Sequence, residues 1–449
     1  MVVGRLTRAL DRPVDAASVA TFRIAIGALL LFSTVRFFAH GRIGSYYAKP
    51  THFFHYWGFA WVRPLSGLGM YAVYALIAVA AACIALGVAS RPAAGLLTSA
   101  FSYAHFCDKS NYLNHYYLLS LLGCLLTVLP LDREFSLRVW RTPTERRGQV
   151  RAWALYLLRF QIGVVYVFGG LGKLGSDWLI HGEPLRIWLA ANVELPVLGP
   201  WLVQPGAGLV FSWCGALFDL SIVPLLSWRV TGRAAYVVLV IFHLLTALLF
   251  EIGVFPWIMI LASTIFWSPS WPRDLWQRLH RSANAAIPEG IAGAPLGPST
   301  RLASIAYALV QLLLPLRSAL YPGNTLWSEE GFRFSWKVML IEKAGSLDFN
   351  VVDSAGRKYL VSPRDYLTPF QARMASTQPD FIVELAHWIA DDFAARGRGR
   401  VRVYADCEVS FNGRSRRRLI DPNWDLASES DGLAAKRWIL PAPGDASIF

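Results

Sequence analysis

Lys173 ends an apolar stretch with the string Gly-Gly-Leu-Gly-Lys-Leu-Gly-Ser-Asp-Trp (169–178). An ammonium there costs free energy unless something solvates or uses it. In apolar surroundings a lysine tends to release its proton and can act as a base near neutral pH. Gly169, Gly170 and Gly172 strip side-chain bulk from the same turn, so a flat ring or another helix can come close. Tyr166 lies seven residues earlier, on the same helical face. A snorkelling anchor and plain helix–helix packing fit the same residues, so on this string alone both readings stand.

Other polar residues sit where apolar ones are expected. The string DKSNYLNHYYLL (108–119) joins two apolar segments. If His115 dips into the second, with Asn114 beside it, a neutral imidazole can exchange hydrogen bonds with a reacting group; a solvated hairpin is the plainer reading. Asp219, inside GALFDLSIVPLL (215–226), is an intramembrane carboxylate that needs a function or a partner. His243 and Glu251 bracket another segment about two turns apart, a spacing that permits a shared face but supports no metal site. Arg159 reads as an anchor. Arg414, Arg416, Arg417 and Arg418 read as a solvated or lipid-facing surface, or as a clamp for substrate carboxylates. No nucleotide loop, HExxH or GxSxG occurs.

These residues are embedded in an apolar chain. Of 449 residues, 55% are hydrophobic and only 16% charged, against about 25% charged in ordinary soluble domains. The charge of +13 is uneven: residues 321–449 carry 17 basic and 17 acidic side chains, leaving 26 against 13 in 1–320. An excess confined to the apolar part marks membrane topology rather than a nucleic-acid surface. About nine apolar segments can be drawn, at 18–38, 69–89, 92–107, 113–130, 152–172, 207–228, 234–250, 252–268 and 302–320. Those at 92–107 and 252–268 are short for a span, which takes about 20 residues. Arginine-rich loops at 131–151, 229–233 and 269–301, with Arg5, Arg8 and Arg12, belong on the cytoplasmic side. Nine crossings then place the 108–114 turn, Lys173, Glu251 and the tail together outside. Residues 282–300, rich in small residues, Pro and Gly, read as a flexible inner linker.

The expected architecture is a polytopic α-helical membrane bundle over 1–320, followed by a small extracytoplasmic α+β domain over 321–449. In that tail, 347–353 and 358–361 read as a hairpin, 379–395 as a helix starting near Pro379, and 400–411 as a strand. Asn412-Gly413 then makes a hairpin turn into 415–420.

Several strings in order resemble the vitamin K-dependent gamma-glutamyl carboxylase family, in a shortened, bacterial-type form. They are RPVDAAS (12–18), DKSNYLNHYYL, LRFQI (158–162) with Val165-Tyr166, GKLGSDW (172–178), FDLS (218–221), Phe242-His243 with LFEIG (249–253), SPSWPR (268–273), Phe334-Ser335-Trp336, and Asp421-Pro422. The resemblance implies an enzyme that uses vitamin K hydroquinone (phylloquinol or menaquinol), O2 and CO2, and no metal. It turns glutamate side chains of a protein or peptide into gamma-carboxyglutamate and releases the quinone as epoxide. It implies Lys173 as the base and His115 as the histidine beside the quinone. It further implies Asn114, Tyr166, Gly169, Gly170 and His243 as quinol-binding residues, with Trp336, Arg414 and Arg418 on the substrate side. The expected setting is a bacterial cytoplasmic membrane, with lipid, quinol and peptide as partners and no nucleic acid. A quinol oxygenase without a protein substrate and a non-catalytic scaffold or transporter are the alternatives.

Overall fold

In the computed structural model, which describes residues 2–280 and 289–444, the apolar segments all form helices. They are α1 (Ala17–Ala39), α2 (Gly67–Leu86), α3 (Ser90–Phe106), α4 (Asn114–Val128), α5 (Ala152–Gly172), α6 (Ala207–Ser227), α7 (Gly232–Leu249), α8 (Phe255–Ser263) and α9 (Pro298–Leu316). Six of these, α1, α2, α5, α6, α7 and α9, are long and apolar enough to cross a membrane. The other three fall short of the roughly 30 Å of hydrocarbon at 1.5 Å per residue.

Small residues and buried polar bonds set the helix spacing. A Cβ on Gly27 would lie 2.6 Å from the backbone nitrogen of Ala85, so α1 and α2 touch backbone to backbone. Arg23, 1% exposed, donates to the carbonyls of Leu131, Ile84, Ala85 and Phe135 and so satisfies the end of α2 from inside the protein.

At one end of the bundle a three-stranded sheet gathers the arginine-rich segments. β1 (Pro13–Asp15) pairs antiparallel with β2 (Gln149–Arg151), which pairs parallel with β3 (Ile291–Ala292). Arg273 bridges Asp15 at 3.0 Å and Glu134 at 3.2 Å beside it. The expectation of a flexible linker over 282–300 is thereby corrected in part. Residues 282–288 lie outside the described residues, but the second half is fastened by β3 and by the Leu296 amide, which donates to Asp11 Oδ1 at 2.7 Å. Pairing with a strand more than a hundred residues away left no local signal.

At the opposite end sits the tail domain, a sheet of order β5-β4-β6-β7 covered by one helix. β4 (Lys343–Val352) and β6 (Arg402–Phe411) run antiparallel over ten residue pairs, flanked by β5 (Lys358–Val361) and β7 (Arg414–Arg418). Alternation in β6 turns Val403, Ala405, Cys407, Val409 and Phe411 inward. Against them lies α10 (Pro379–Ala395), through Phe381, Ile382, Leu385 and Ile389. Asn412 and Gly413 both have positive φ, 45° and 78°, as a tight hairpin turn requires.

The loop between α1 and α2 belongs to this end: Phe54 enters the tail core and stacks on Phe381, ring centroids 4.3 Å apart. A buried charge cluster clamps the two parts. Lys109, 3% exposed, contacts Asp380 at 3.1 Å and Glu384 at 3.0 Å. Arg333 adds a 2.7 Å bond to Asp380, and the His55 amide a 2.9 Å bond to Glu384. Burial opposes the charges of Lys109 and Asp380. Even so, Asp380 and Glu384 hold the Lys109 ammonium above its ordinary range, while Arg333 and Lys109 hold the Asp380 carboxyl well below its own.

Candidate functional site

Lys173 caps α5, and its side chain turns back into the bundle rather than out to solvent. Nζ lies 2.5 Å from Asp219 Oδ2 on α6 and 3.3 Å from the Gly169 carbonyl. Both residues are buried, at 7% and 8% exposure. The ammonium also faces the Trp178 ring, 5.4 Å from its centroid. Trp178 is fixed in turn by its indole N–H, which donates to the Ser212 carbonyl at 2.7 Å. Gly169 makes the pairing possible: a Cβ there would stand 3.3 Å from Asp219 Oδ2.

The pair sits on the wall of an apolar cleft between α5, α6, α7 and α8. Phe211, Phe242, Phe250 and Phe255 supply aromatic walls, and Gly215 leaves a gap beside Trp178 and the Lys173 stem. Tyr166 and His243 form a second polar point in the cleft. The Tyr166 hydroxyl lies 2.9 Å from His243 Nε2 and 3.2 Å from the Ser263 hydroxyl. The cleft is roofed by Val338 and Met339, from the segment that leads into the tail domain.

That segment is conformationally unusual. Phe334, Trp336 and Met339 have φ of 62°, 55° and 57°, a left-handed region that side chains other than glycine rarely occupy. Packing enforces it. The Phe334 amide donates to the Tyr112 hydroxyl at 2.7 Å, its ring packs among Tyr56, Tyr112 and Tyr117, and Trp336 stacks on Tyr117 at 4.7 Å. The Lys337 carbonyl accepts from Asn114 Nδ2 at 3.1 Å.

The expected site residues therefore separate into groups. Lys173, Tyr166, Gly169 and His243 line one cleft. Gly170 faces away from it, against Leu220, where a Cβ would come within 2.8 Å of the leucine side chain; it serves the α5–α6 contact. His115 is buried but does not line the cleft. Its ring lies 6.3 Å from Phe255, and His243 lies 6.3 Å from that same ring, so Phe255 links the two histidines. Asn114 holds the roof segment instead of the cleft. Trp336 is fully buried. Arg414 bonds to both oxygens of Asp177, one at 2.9 Å, and so fastens β7 to the turn after α5. Arg418 is exposed at the end of β7. Glu251 is exposed, whereas His243 is buried.

Asp219 was legible as a carboxylate in need of a partner, but 46 residues separate it from Lys173 and the sequence did not pair them. Trp178, Phe211, Val338 and Met339 carried no signal of their own.

The family model of the HTTM domain matches residues 11–271, which hold the cleft. That of the vitamin K-dependent gamma-carboxylase lumenal domain matches residues 297–445, which hold the roof and the sheet. No solved structure matches the chain. With both parts matched in order, and the apolar bundle and sheet domain meeting at a lysine-bearing cleft, the chain belongs to the vitamin K-dependent gamma-carboxylase family.

Proposed function

We propose that the protein is a membrane gamma-glutamyl carboxylase that couples oxygenation of vitamin K hydroquinone to CO2 addition on protein glutamate side chains. The observation that carries this reading is the Lys173–Asp219 pair on the wall of an aromatic cleft. The chemistry of the cleft suits a reduced naphthoquinone: its walls are aromatic, Gly169 and Gly215 keep side-chain bulk out of it, and two polar points are available to a diol. Lys173 with Asp219 would hold one end of the ring and Tyr166 with His243 the other. When bound, the hydroquinone supplies the reaction with O2 whose product is basic enough to remove a glutamate gamma-proton.

The protein's share is to accept the first proton. Lys173 and Asp219 act as one acid–base unit. As ammonium and carboxylate, or as amine and carboxylic acid, they hold the same number of protons and are neutral together. Either form has one vacant position, so the pair takes a single proton and becomes a cation beside the anion it creates. Here the sequence reading of a lone amine changes: the basic group is a pair. The phenyl walls and the Val338–Met339 roof keep water from competing for that proton. His115, behind Phe255, holds that wall and is a positioning residue.

In this reading all nine helices lie in a bacterial cytoplasmic membrane, which thins locally around the three short ones. The N-terminus is inside, since β1–β3 collect the arginine-rich loops, and the tail domain is outside. A glutamate-containing peptide would approach from the tail side past Arg418. One observation favours a second reading. Trp336 is buried and Arg414 is held by Asp177, so two of the three expected substrate contacts are used within the protein. A quinol oxygenase acting on no protein would need neither.

Purified protein in lipid vesicles, given reduced vitamin K, labelled CO2 and a glutamate-rich peptide, tests both. Label in the peptide together with epoxide supports carboxylation. Epoxide alone supports the oxygenase, and neither product from folded protein with phylloquinol or menaquinol rejects both.

A further inference from the structure

Arg159 leaves part of its guanidinium unused, inside a crevice on another side of α5. Its Nε donates to the Ile265 carbonyl at 2.9 Å, and its Nη2 to Trp267 at 2.8 Å and Phe266 at 3.3 Å, the carbonyls freed where α8 ends. Nη1 has no hydrogen-bond partner among the described residues. The guanidinium carbon stands 5.5 Å from the Tyr156 ring and 6.0 Å from the Phe266 ring, so two aromatic groups border the planar cation. The Tyr156 hydroxyl accepts from Arg12 Nη2 at 3.2 Å, so both guanidinium groups border the same tyrosine. No carboxylate lines the crevice, and among the described residues neither arginine joins an ion pair.

The space beside Arg159 is large and apolar. It is an open trough between α5, α6 and α9, walled by Phe160, Gly163, Val167, Val223 and Leu312. Val167 and Leu312 are exposed, so the crevice opens sideways, where a membrane helix meets acyl chains. Two like charges in apolar surroundings attract an anion. A soluble anion would satisfy the charge and leave the apolar trough open, whereas a lipid fills both.

We propose that this crevice binds an anionic phospholipid, with its phosphate against Arg159 Nη1 and Arg12 and one acyl chain along Gly163, Val167 and Val223. The site lies at the β1–β3 end of the bundle, at the far end of α5 from Lys173. A lipid held there braces the α5–α6 contact on which the Lys173–Asp219 pair depends.

The test is native mass spectrometry of the full-length protein after exchange into equal amounts of phosphatidylglycerol and phosphatidylcholine. Two basic groups near a membrane surface predict about a thirtyfold preference for the anionic lipid. Arg12→Gln, on the exposed side, should lower that preference about fivefold while leaving the carbonyl bonds of Arg159 intact. Gly163→Leu should abolish retention of either lipid. A Cβ at 163 meets Val223 Cγ1 at 3.5 Å, an ordinary contact, and the rest of the leucine grows into the crevice. If Gly163→Leu does not fold, Leu312→Trp closes the same space from α9. Equal retention of the two lipids overturns the proposal, as does phosphatidylglycerol retention that survives closure of the crevice. Thermal stabilisation by inorganic phosphate equal to that by phosphatidylglycerol would assign the charge to a soluble anion instead.

Discussion

Replacing Asp219 by Asn separates a paired base from a lone amine. The change is nearly isosteric, so the cleft keeps its shape while the Lys173 ammonium loses its counter-charge at 2.5 Å. With Asp219 buried and only neutral acceptors left beside the ammonium, the Gly169 carbonyl and the new amide oxygen, breaking such a pair costs about 3–5 kcal/mol. The loss has a ceiling at pH 7 of about 4.6 kcal/mol, the work of deprotonating an ordinary lysine amine, because the variant can discard its charge instead. The fold should therefore survive with a lowered unfolding temperature. Lys173→Met combined with Asp219→Leu, which removes both charges, should recover most of the stability and none of the activity. For catalysis, a general base contributes about 10²–10⁴-fold, so epoxide formation in Asp219→Asn should fall by that range. Its rate should then rise with pH, as the unpaired amine comes to supply the only base. The assay is epoxide yield from reduced vitamin K by purified protein between pH 6 and 10. A wild-type rate and pH profile in Asp219→Asn, with Lys173→Ala inactive, would refute the paired base and restore the lone amine.

Other outcomes follow from the same geometry. Gly169→Leu should displace the Asp219 carboxylate, which stands 3.3 Å from the new Cβ, and abolish quinol turnover while the protein still folds, as read by circular dichroism. Lys109→Met leaves Asp380 and Glu384 without their shared cation and should cost about 3–5 kcal/mol of domain docking, seen as faster proteolysis between α9 and β4. Burial pushes the Asp108 carboxyl up to about 6, against hydrogen bonds from Ser110 and Gln371. The folded state then holds a proton that the unfolded chain has released, so stability falls by about 3 kcal/mol as pH rises from 3 to 7; thermal melts of Asp108→Asn should lack this decline. Trp336→Phe removes a buried indole N–H that has no partner and should leave the KM for a peptide unchanged; a several-fold rise would show that Trp336 meets substrate.

Legibility followed the range of the forces involved. Helices α1 to α9 were readable because a long apolar run is a local property, and their bounds match the runs to within a few residues except at 252–268, where only Phe255–Ser263 is α-helical. The tail hairpin was readable at Asn412-Gly413 because positive φ at two successive positions selects those residues. Helix α10 announced itself by Pro379 in its first turn and apolar residues at helical spacing. Contacts between distant segments were not readable. Nothing near Asp219 names Lys173, and nothing near Lys109 names Asp380. The Phe334–Met339 run looks like an ordinary loop, since its left-handed residues are held by Tyr112 and Tyr117 from another part of the chain. Gly170 and Gly169 are alike in sequence, and only the neighbouring helix distinguishes the packing glycine from the cleft glycine.

The roof explains why a membrane bundle with its own cleft needs a sheet domain at all. Val338 and Met339 close the space above the Lys173–Asp219 pair, yet they belong to the strand-bearing part of the chain. Three left-handed residues at about 1–2 kcal/mol each make the roof segment unfavourable by itself. It is held down from both sides, by Asn114 and the α4 tyrosine on the bundle and by β4, which begins at Lys343. The Lys109–Asp380–Arg333 cluster joins those two anchors a few residues from the strain. Closing the cleft and docking the domain are thus one event. The base proposed at Lys173–Asp219 would then acquire its shelter from water at the moment the two parts meet, and loosening the cluster should flood the cleft before it unfolds either part.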